Sequence, residues 1–152
     1  MNAEALWLEL EAVFLEGDNF QYQLQYKKSI AIETKEIMEK IFNFEDRLVR
    51  FAGESIFFTR QLTKLFENEY YKNQLIRSSG STSLNFGEAQ GTITDKDFIF
   101  KVSLVVKELK ESRNSLKILD YIKEGDNEKR NKLLTEVEQL IAISSKMIIN
   151  KK

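Results

Sequence analysis

The chain has 152 residues, of which 42% are hydrophobic and eleven are Phe, enough for one ordinary domain with a buried core. It contains no Cys and no His, which excludes disulfides, thiol nucleophiles, Ser–His relays, zinc fingers and His-containing di-iron sites. The formal net charge is −1, but residues 1–40 carry eight acids and four bases, against sixteen and nineteen in the rest. The small positive excess of residues 41–152 does not by itself indicate a nucleic-acid partner.

No apolar run reaches the roughly 18 residues of a membrane helix, and the opening MNAEALWLEL lacks the basic flank of a signal peptide. We therefore expect a cytoplasmic protein with no membrane partner. The chain also contains no Pro, which favours long uninterrupted helices.

Residues 1–41 differ from the rest of the chain. The segment FQYQLQY, residues 20–26, alternates apolar and polar side chains as a strand does, and the preceding EGDN is typical of a turn. The segment before that turn, LWLELEAVFLE, suits a second strand or a helix. The pattern favours a short β-hairpin, which must pack on another surface because two strands alone are marginally stable.

Residues 42–152 contain four stripes of mostly apolar or small side chains that recur at steps of three and four, the spacing of one helix face. They predict a helix over residues 44–67, a second that begins at a cap at Asn68, a third after an N-cap at Asp95, and a fourth after the turn KEGDN. The stripes are Leu48, Phe51, Ser55, Phe58, Leu62 and Leu65; Tyr71, Leu75, Ser78, Thr82, Asn85 and Ala89; Phe98, Val102, Val105, Leu109, Ser112, Leu116 and Leu119; and Leu133, Val137, Leu140, Ser144 and Met147.

The segment RSSGSTSLNFGEAQG, residues 77–91, resembles a flexible linker in composition, because Ser and Gly each disfavour a helix by several tenths to about 1 kcal/mol. Its period nevertheless continues the second stripe. We interpret it as helix whose small side chains let a neighbouring backbone approach, with hydroxyls bonded to carbonyls of the preceding turn. The sequence thus predicts an all-α protein, with an antiparallel up-and-down four-helix bundle over residues 42–152 and an extension over residues 1–41.

Three segments carry a family resemblance: FEDRLV at 44–49, QLIRSSGSTSLNFGEAQG at 74–91 and KDFIFKVSLVVKELKES at 96–112. They resemble the bacterial four-helix-bundle proteins encoded by intervening sequences within 23S rRNA genes. That family includes the accessory variability protein of diversity-generating retroelements. The resemblance implies an up-and-down bundle and a ring-like homopentamer. Because MEKIFNFED, from Met38, resembles the beginning of a family member, residues 1–37 are expected to be an addition.

Two sets of residues are candidates for a site. The first set consists of polar positions that match the family's motif, namely Arg77, Ser81, Asn85, Glu88, Glu108 and Glu111. The second set makes the third helix basic and offers contacts to nucleic acid or a partner, although a solvated face paired with acids explains it too: Lys101, Lys107, Lys110, Arg113 and Lys117.

Three carboxylates, Glu54, Glu88 and Glu108, lie beside the stripes of different helices. They either converge near one end of the bundle as a polar ligand or metal cluster, or form ion pairs that fix helix pairing, which we favour. No ligand spacing predicts a metal or cofactor site, and no residue is identified as catalytic.

The sequence favours a non-enzymatic oligomeric scaffold or adaptor. Apolar residues off the main stripes, such as Ile56, Leu84, Ile99 and Val106, need burial against another subunit or a protein partner. The alternative is a nucleic-acid-binding accessory factor of a reverse transcriptase in a diversity-generating retroelement, acting through the basic third helix. Such binding weakens steeply with salt.

Overall fold

The structure is a computed structural model that describes residues 20–42 and 44–151, with side chains over 21–35 and 44–151. Every regular element in those ranges is an α-helix, which confirms the predicted all-α class. The helices are α1 Phe20–Phe42, α2 Phe44–Thr59, α3 Phe66–Gln90, α4 Asp95–Tyr121 and α5 Asn127–Asn150. The chain divides into two compact units, residues 1–44 and 45–152, which are described separately.

Helix α1 shows that the predicted hairpin is wrong. The segment FQYQLQY, expected to be a strand, forms the first turns of α1, and the proposed partner strand LWLELEAVFLE lies outside the described residues. The alternation of apolar and polar residues in this segment predicted a strand wrongly, because Gln is also well tolerated in a helix. The following segment KKSIAIETKEIMEK contains neither Gly nor Pro, so nothing in it interrupts a helix. The helix propensity of all 23 residues of α1 therefore outweighs a strand-like alternation that covers only seven of them.

In the second unit, α2 to α5 alternate in direction around one bundle. At each neighbouring pair, the end of one helix meets the beginning of the other, as an up-and-down topology requires. These contacts are Glu45 beside Gly87, Glu88 with Lys101, Asp120 with Arg130, and Phe58 beside Gly125.

The core of this unit consists of the predicted stripes. Most of their apolar members are fully buried, including Leu48, Phe51, Phe58, Leu75, Val102, Val105, Leu109, Leu116, Leu119, Val137 and Leu140. Five further stripe positions are buried hydroxyls: Ser55, Ser78, Thr82, Ser112 and Ser144. The Ser144 hydroxyl, for example, donates to the Leu140 carbonyl at 2.8 Å, and such bonds within the helix offset the cost of burial. The Ser55 hydroxyl is the exception, because it has no hydrogen-bond partner in the described part of the chain.

Helix α3 runs without a break through the Ser-rich segment, as its period predicts. Ser78, Ser79 and Thr82 are buried there, and the Thr82 hydroxyl donates to the Ser79 carbonyl at 2.6 Å. The hydroxyls of Ser78 and Ser112 lie 2.7 Å apart across α3 and α4. Because both side chains are small, the backbones of α3 and α4 can approach closely at this level.

The first bundle helix ends earlier than expected. Helix α2 stops at Thr59, so Leu62 and Leu65 lie in the connection, where Leu65 is half exposed. The reason is tertiary: the Thr63 hydroxyl donates to Glu124 Oε1 at 2.9 Å and accepts from Asn68 Nδ2 at 2.7 Å. These bonds hold the chain in a non-helical turn.

The two predicted N-caps are also displaced. Asn68 lies inside α3, whose N-cap is Leu65, and its amide bonds the preceding connection instead. Asp95 is the first residue of α4, and the cap is Thr94, whose hydroxyl accepts from the Asp97 backbone N–H at 3.1 Å. Both corrections are shifts of one turn or less, where helix ends are least determined by pattern.

Candidate functional site

The six family-motif residues lie along the contact between α3 and α4, which we call the α3–α4 seam. Arg77 Nη2 donates to Glu111 Oε1 at 2.8 Å, and Lys101 forms an ion pair with Glu88 further along the seam. Both pairs join one helix to the other. The seam therefore uses its charges to hold α3 and α4 in register.

Asn85 and Ser81 are linked within α3. The Asn85 Nδ2 group donates to the Ser81 carbonyl at 2.8 Å, and both side chains are half-buried. The motif amide thus bonds its own helix one turn back, in the manner of polar side chains that satisfy a local carbonyl.

Glu108 is the most perturbed acid of the seam. Its Oε2 atom is buried and has no hydrogen-bond partner in the described part of the chain. Burial raises the pKa of Glu108 above its ordinary value, the neighbouring Glu111 carboxylate raises it further, and Arg77 acts in the opposite direction. Glu108 consequently holds its proton to a higher pH than a solvated glutamate does.

The predicted convergence of Glu54, Glu88 and Glu108 does not occur. Glu88 pairs with Lys101 near the end of α3, and Glu108 lies further along α4, beside Arg77 and Glu111. Glu54 is on the side of α2 that faces α5. Glu54 is separated from the other two because it faces α5, and Glu88 and Glu108 lie at different levels along the α3–α4 seam.

The five basic residues of α4 serve different purposes. Lys101 pairs with Glu88 in the seam, and Arg113 Nη1 lies 3.3 Å from Glu138 Oε2 in α5. Lys107, Lys110 and Lys117 are exposed, and none of them forms an ion pair with a side chain that the structure describes. The outward face of α4 is therefore less basic than the sequence suggests.

A second charged region, missed in the sequence, lies between α2 and α5. This α2–α5 cleft has a volume of about 530 Å³. Its lining contains four cations, two carboxylates and one leucine: Arg47, Arg50, Lys129, Lys132, Glu54, Glu136 and Leu133. The two cationic pairs are about eighty residues apart in sequence, so no run of charge reveals them. The signal that could have revealed the cleft is that Arg47 and Arg50, like Lys129 and Lys132, are three residues apart and lie beside an apolar stripe.

One end of the cleft is neutralised by a bidentate ion pair. Arg47 Nε and Nη2 each lie 2.8 Å from an oxygen of Glu136, and Nη2 also donates to Gln139 Oε1 at 2.8 Å. The bond to Glu136 raises the pKa of Arg47, so the guanidinium stays charged. At the opposite edge, Lys132 bonds Glu128 at 2.7 Å, which raises the pKa of Lys132.

The turn between α4 and α5 is held by a buried cation. The Arg130 side chain is 1% exposed and donates to Asp120 Oδ1 at 3.1 Å and to the Glu124 carbonyl at 2.6 Å. Further bonds reach the Gly125 carbonyl and the Asn127 side chain. The bond from Arg130 is the main reason that the pKa of Asp120 is lowered. This polar cluster is structural, and the sequence analysis missed it.

Among the side chains that the structure describes, at 21–35 and 44–151, no group of three or more metal-ligating residues is placed to hold an ion. No helix in that part of the chain combines the length and apolar character needed to cross a bilayer.

Comparisons with known proteins agree with this architecture. Residues 46–146 match the family model of the 23S rRNA-intervening sequence protein. A solved structure with a TM-score of 0.64 is a protein with unknown function from the S23 ribosomal protein family of Bacteroides thetaiotaomicron VPI-5482. It is 21% identical, and the match covers 69% of this chain and 97% of that one, which shows a shared fold. A search of curated proteins finds no match.

Proposed function

Because the chain belongs to the family of 23S rRNA-intervening sequence proteins, we propose that it acts as a non-enzymatic oligomeric scaffold or adaptor. The observation that carries this proposal is a set of large apolar side chains on the outward sides of α2 and α3. We call it the apolar α2–α3 face: Val49, Ile56 and Phe57 on α2, and Leu84 on α3.

The three α2 members share one side of the helix, since they are separated by seven and eight residues. Val49 and Phe57 are 55% exposed and Leu84 is 71% exposed. A Cβ added at Gly53 or Gly80 would meet no atom within 4 Å, so these glycines leave room for a partner to approach. Exposed apolar groups on neighbouring helices are typical of protein–protein contacts.

Two of the four off-stripe residues support this interpretation directly. Ile56 and Leu84 are exposed, whereas Ile99 and Val106 are half-buried within the unit. Of these four residues, only Ile56 and Leu84 are therefore available to a partner, and α4 adds Phe100, which is 60% exposed.

The polar clusters also support a scaffold function, because their side chains bond to the fold itself. The Arg77–Glu111 and Arg113–Glu138 pairs each join two helices, and Arg130 holds a turn. We propose that five copies assemble in the cytoplasm, as the family resemblance implies, with the apolar α2–α3 face between neighbouring subunits.

Light scattering on the eluting protein tests the proposal. We expect a molar mass several times the 17.8 kDa of one chain, and a lower mass for Phe57→Glu and Leu84→Glu. Thr135→Glu, at an exposed position of α5, is the matched control and should leave the mass unchanged. Circular dichroism checks that each variant keeps its helices. A monomeric wild-type protein would overturn the proposal.

A second candidate function is that of a nucleic-acid-binding accessory factor of a reverse transcriptase. It is favoured by one observation: Lys107, Lys110 and Lys117 are exposed on the outward face of α4 and form no ion pair with a side chain that the structure describes. An RNA mobility shift at about 50 mM salt, lost on changing all three to Gln, would support it. The absence of any shift at micromolar protein would refute it.

A further inference from the structure

The α2–α5 cleft contains charge that the fold does not use. Arg47 is fixed by Glu136, and Lys132 is bonded to Glu128. By contrast, Arg50 and Lys129 form no ion pair with any side chain in the described part of the chain. Two cations therefore line the cleft without an ion-pair partner among the described side chains, although the Glu54 carboxylate lines the same cleft.

The position of Lys129 makes this arrangement more unusual. It lies in the first turn of α5, which begins at Asn127. The positive end of a helix dipole favours acidic side chains there and disfavours a cation. The Asp126 carboxylate caps this helix end and accepts from the Lys129 backbone N–H at 2.8 Å, which offsets part of that cost.

The cleft has the size and floor of a small-molecule site. Its volume of about 530 Å³ lies within the range of ligand clefts, and Leu133, 5% exposed, supplies an apolar floor. The lining has four cations and two carboxylates, and Glu128, which bonds Lys132, is a third carboxylate at its edge. One positive charge remains in excess, and a bound anion would neutralise it.

We infer that the α2–α5 cleft binds a phosphoryl group, with Arg50 and Lys129 as the residues that contact it. Arg presents paired donors that match phosphate oxygens, and Lys adds a compact positive charge. The Arg47–Glu136 pair holds the neighbouring wall in place, and Glu54 limits affinity by repelling the anion. This inference goes beyond the proposed scaffold function and does not depend on assembly, because the cleft lies within one chain.

Isothermal titration of the full chain with pyrophosphate, at about 50 mM salt, tests the inference. Arg50→Gln and Lys129→Gln should each weaken binding about tenfold, the effect of losing one charged hydrogen bond. Glu54→Gln should strengthen binding, because it removes a repelling charge. Lys146→Gln, exposed near the end of α5 and outside the lining of the cleft, is the matched control and should change nothing. All four side chains are exposed, so the variants should fold.

A parallel titration with a single-stranded RNA that lacks a terminal phosphate identifies the source of the phosphoryl group. Binding of pyrophosphate alone supports a small phosphorylated ligand. RNA binding that pyrophosphate displaces supports a polynucleotide. Failure of pyrophosphate to bind, or equal affinity in the wild type, Arg50→Gln and Lys129→Gln, would overturn the inference.

Discussion

The α3–α4 seam and the α2–α5 cleft are both antiparallel helix pairs of the same bundle, yet one is closed and the other open. In the seam, Ser78 and Ser112 meet with their hydroxyls 2.7 Å apart. In the cleft, Arg50 and Lys129 stand beside about 530 Å³ of open space. Side-chain size sets the separation of packed helices, and here it differs within one unit.

The two pairs also use charge differently. In the seam, charged side chains form ion pairs between the two helices, as Arg77 and Glu111 do. The cleft makes one such contact, Arg47 with Glu136, whereas Arg50 and Lys129 form no ion pair with a described side chain. The comparison teaches that ion pairs across a close pair of helices fix the register of the two helices. Across a separated pair, charged side chains stay available to a ligand.

The largest expected effect is at Gly125, in the turn that precedes α5. Its φ is +74°, and an added Cβ would lie 2.6 Å from the Phe58 ring. Gly125→Ala should lower the free energy of unfolding by about 2 to 4 kcal/mol, from the left-handed backbone and overpacking together. Chemical denaturation measures this. Gly53→Ala, with open space around the added Cβ, is the control. A loss equal to that of the control would show that Phe58 yields easily.

The next effect tests whether the seam is closed because its side chains are small. Ser78→Leu should destabilise the protein by about 1 to 3 kcal/mol, since α4 leaves no room at this buried position. Ser83→Leu, on the same helix but half-buried, should change stability by no more than about 0.5 kcal/mol. Thermal unfolding of both variants decides the point. Equal melting temperatures would mean that the seam is loosely packed.

A smaller effect concerns the wall of the cleft. Glu136→Gln removes the bidentate partner of Arg47, and its cost should be about 0.5 to 1 kcal/mol because the pair is partly exposed. The cost should fall at high salt, where charge pairs are screened. Denaturation at low and high salt measures both quantities. A cost that does not vary with salt would indicate that packing, not charge, joins α2 to α5.

The smallest effect lies in the seam and depends on pH. The folded pKa of Glu108 is raised above its ordinary 4.5, so the folded state binds the proton more tightly than the unfolded state. The stability that Glu108 contributes is therefore lost as pH rises from about 4.5 through the folded pKa. Glu108→Gln should gain stability relative to the wild type over that window. Melting curves between about pH 4 and pH 8 would contradict this if the difference reversed.

Much of this comparison could be predicted from the sequence. The three-and-four spacing located the buried faces, and it correctly extended α3 through the Ser-rich segment although composition argued for a loop. The spacing predicted this helix correctly because the hydroxyls of Ser78 and Thr82 donate to carbonyls of their own helix. Local information was therefore sufficient for the seam.

The remainder depends on contacts between distant residues. Helix α2 ends at Thr59 because Glu124 and Asn68 bond Thr63, and no local pattern encodes those bonds. The α2–α5 cleft joins Arg50 with Lys129, which only the packed bundle brings together. The strand predicted for residues 20–26 failed for the opposite reason, because helix propensity outweighed a short alternation.

The central claim, that this chain acts as an assembled scaffold, is tested most directly by native mass spectrometry of the full chain. We predict a dominant species that contains five copies of the 17.8 kDa chain, persisting as the protein is diluted to micromolar concentration. Another defined oligomer would keep the scaffold and correct the number of subunits. A spectrum of single 17.8 kDa chains at every concentration would contradict the account.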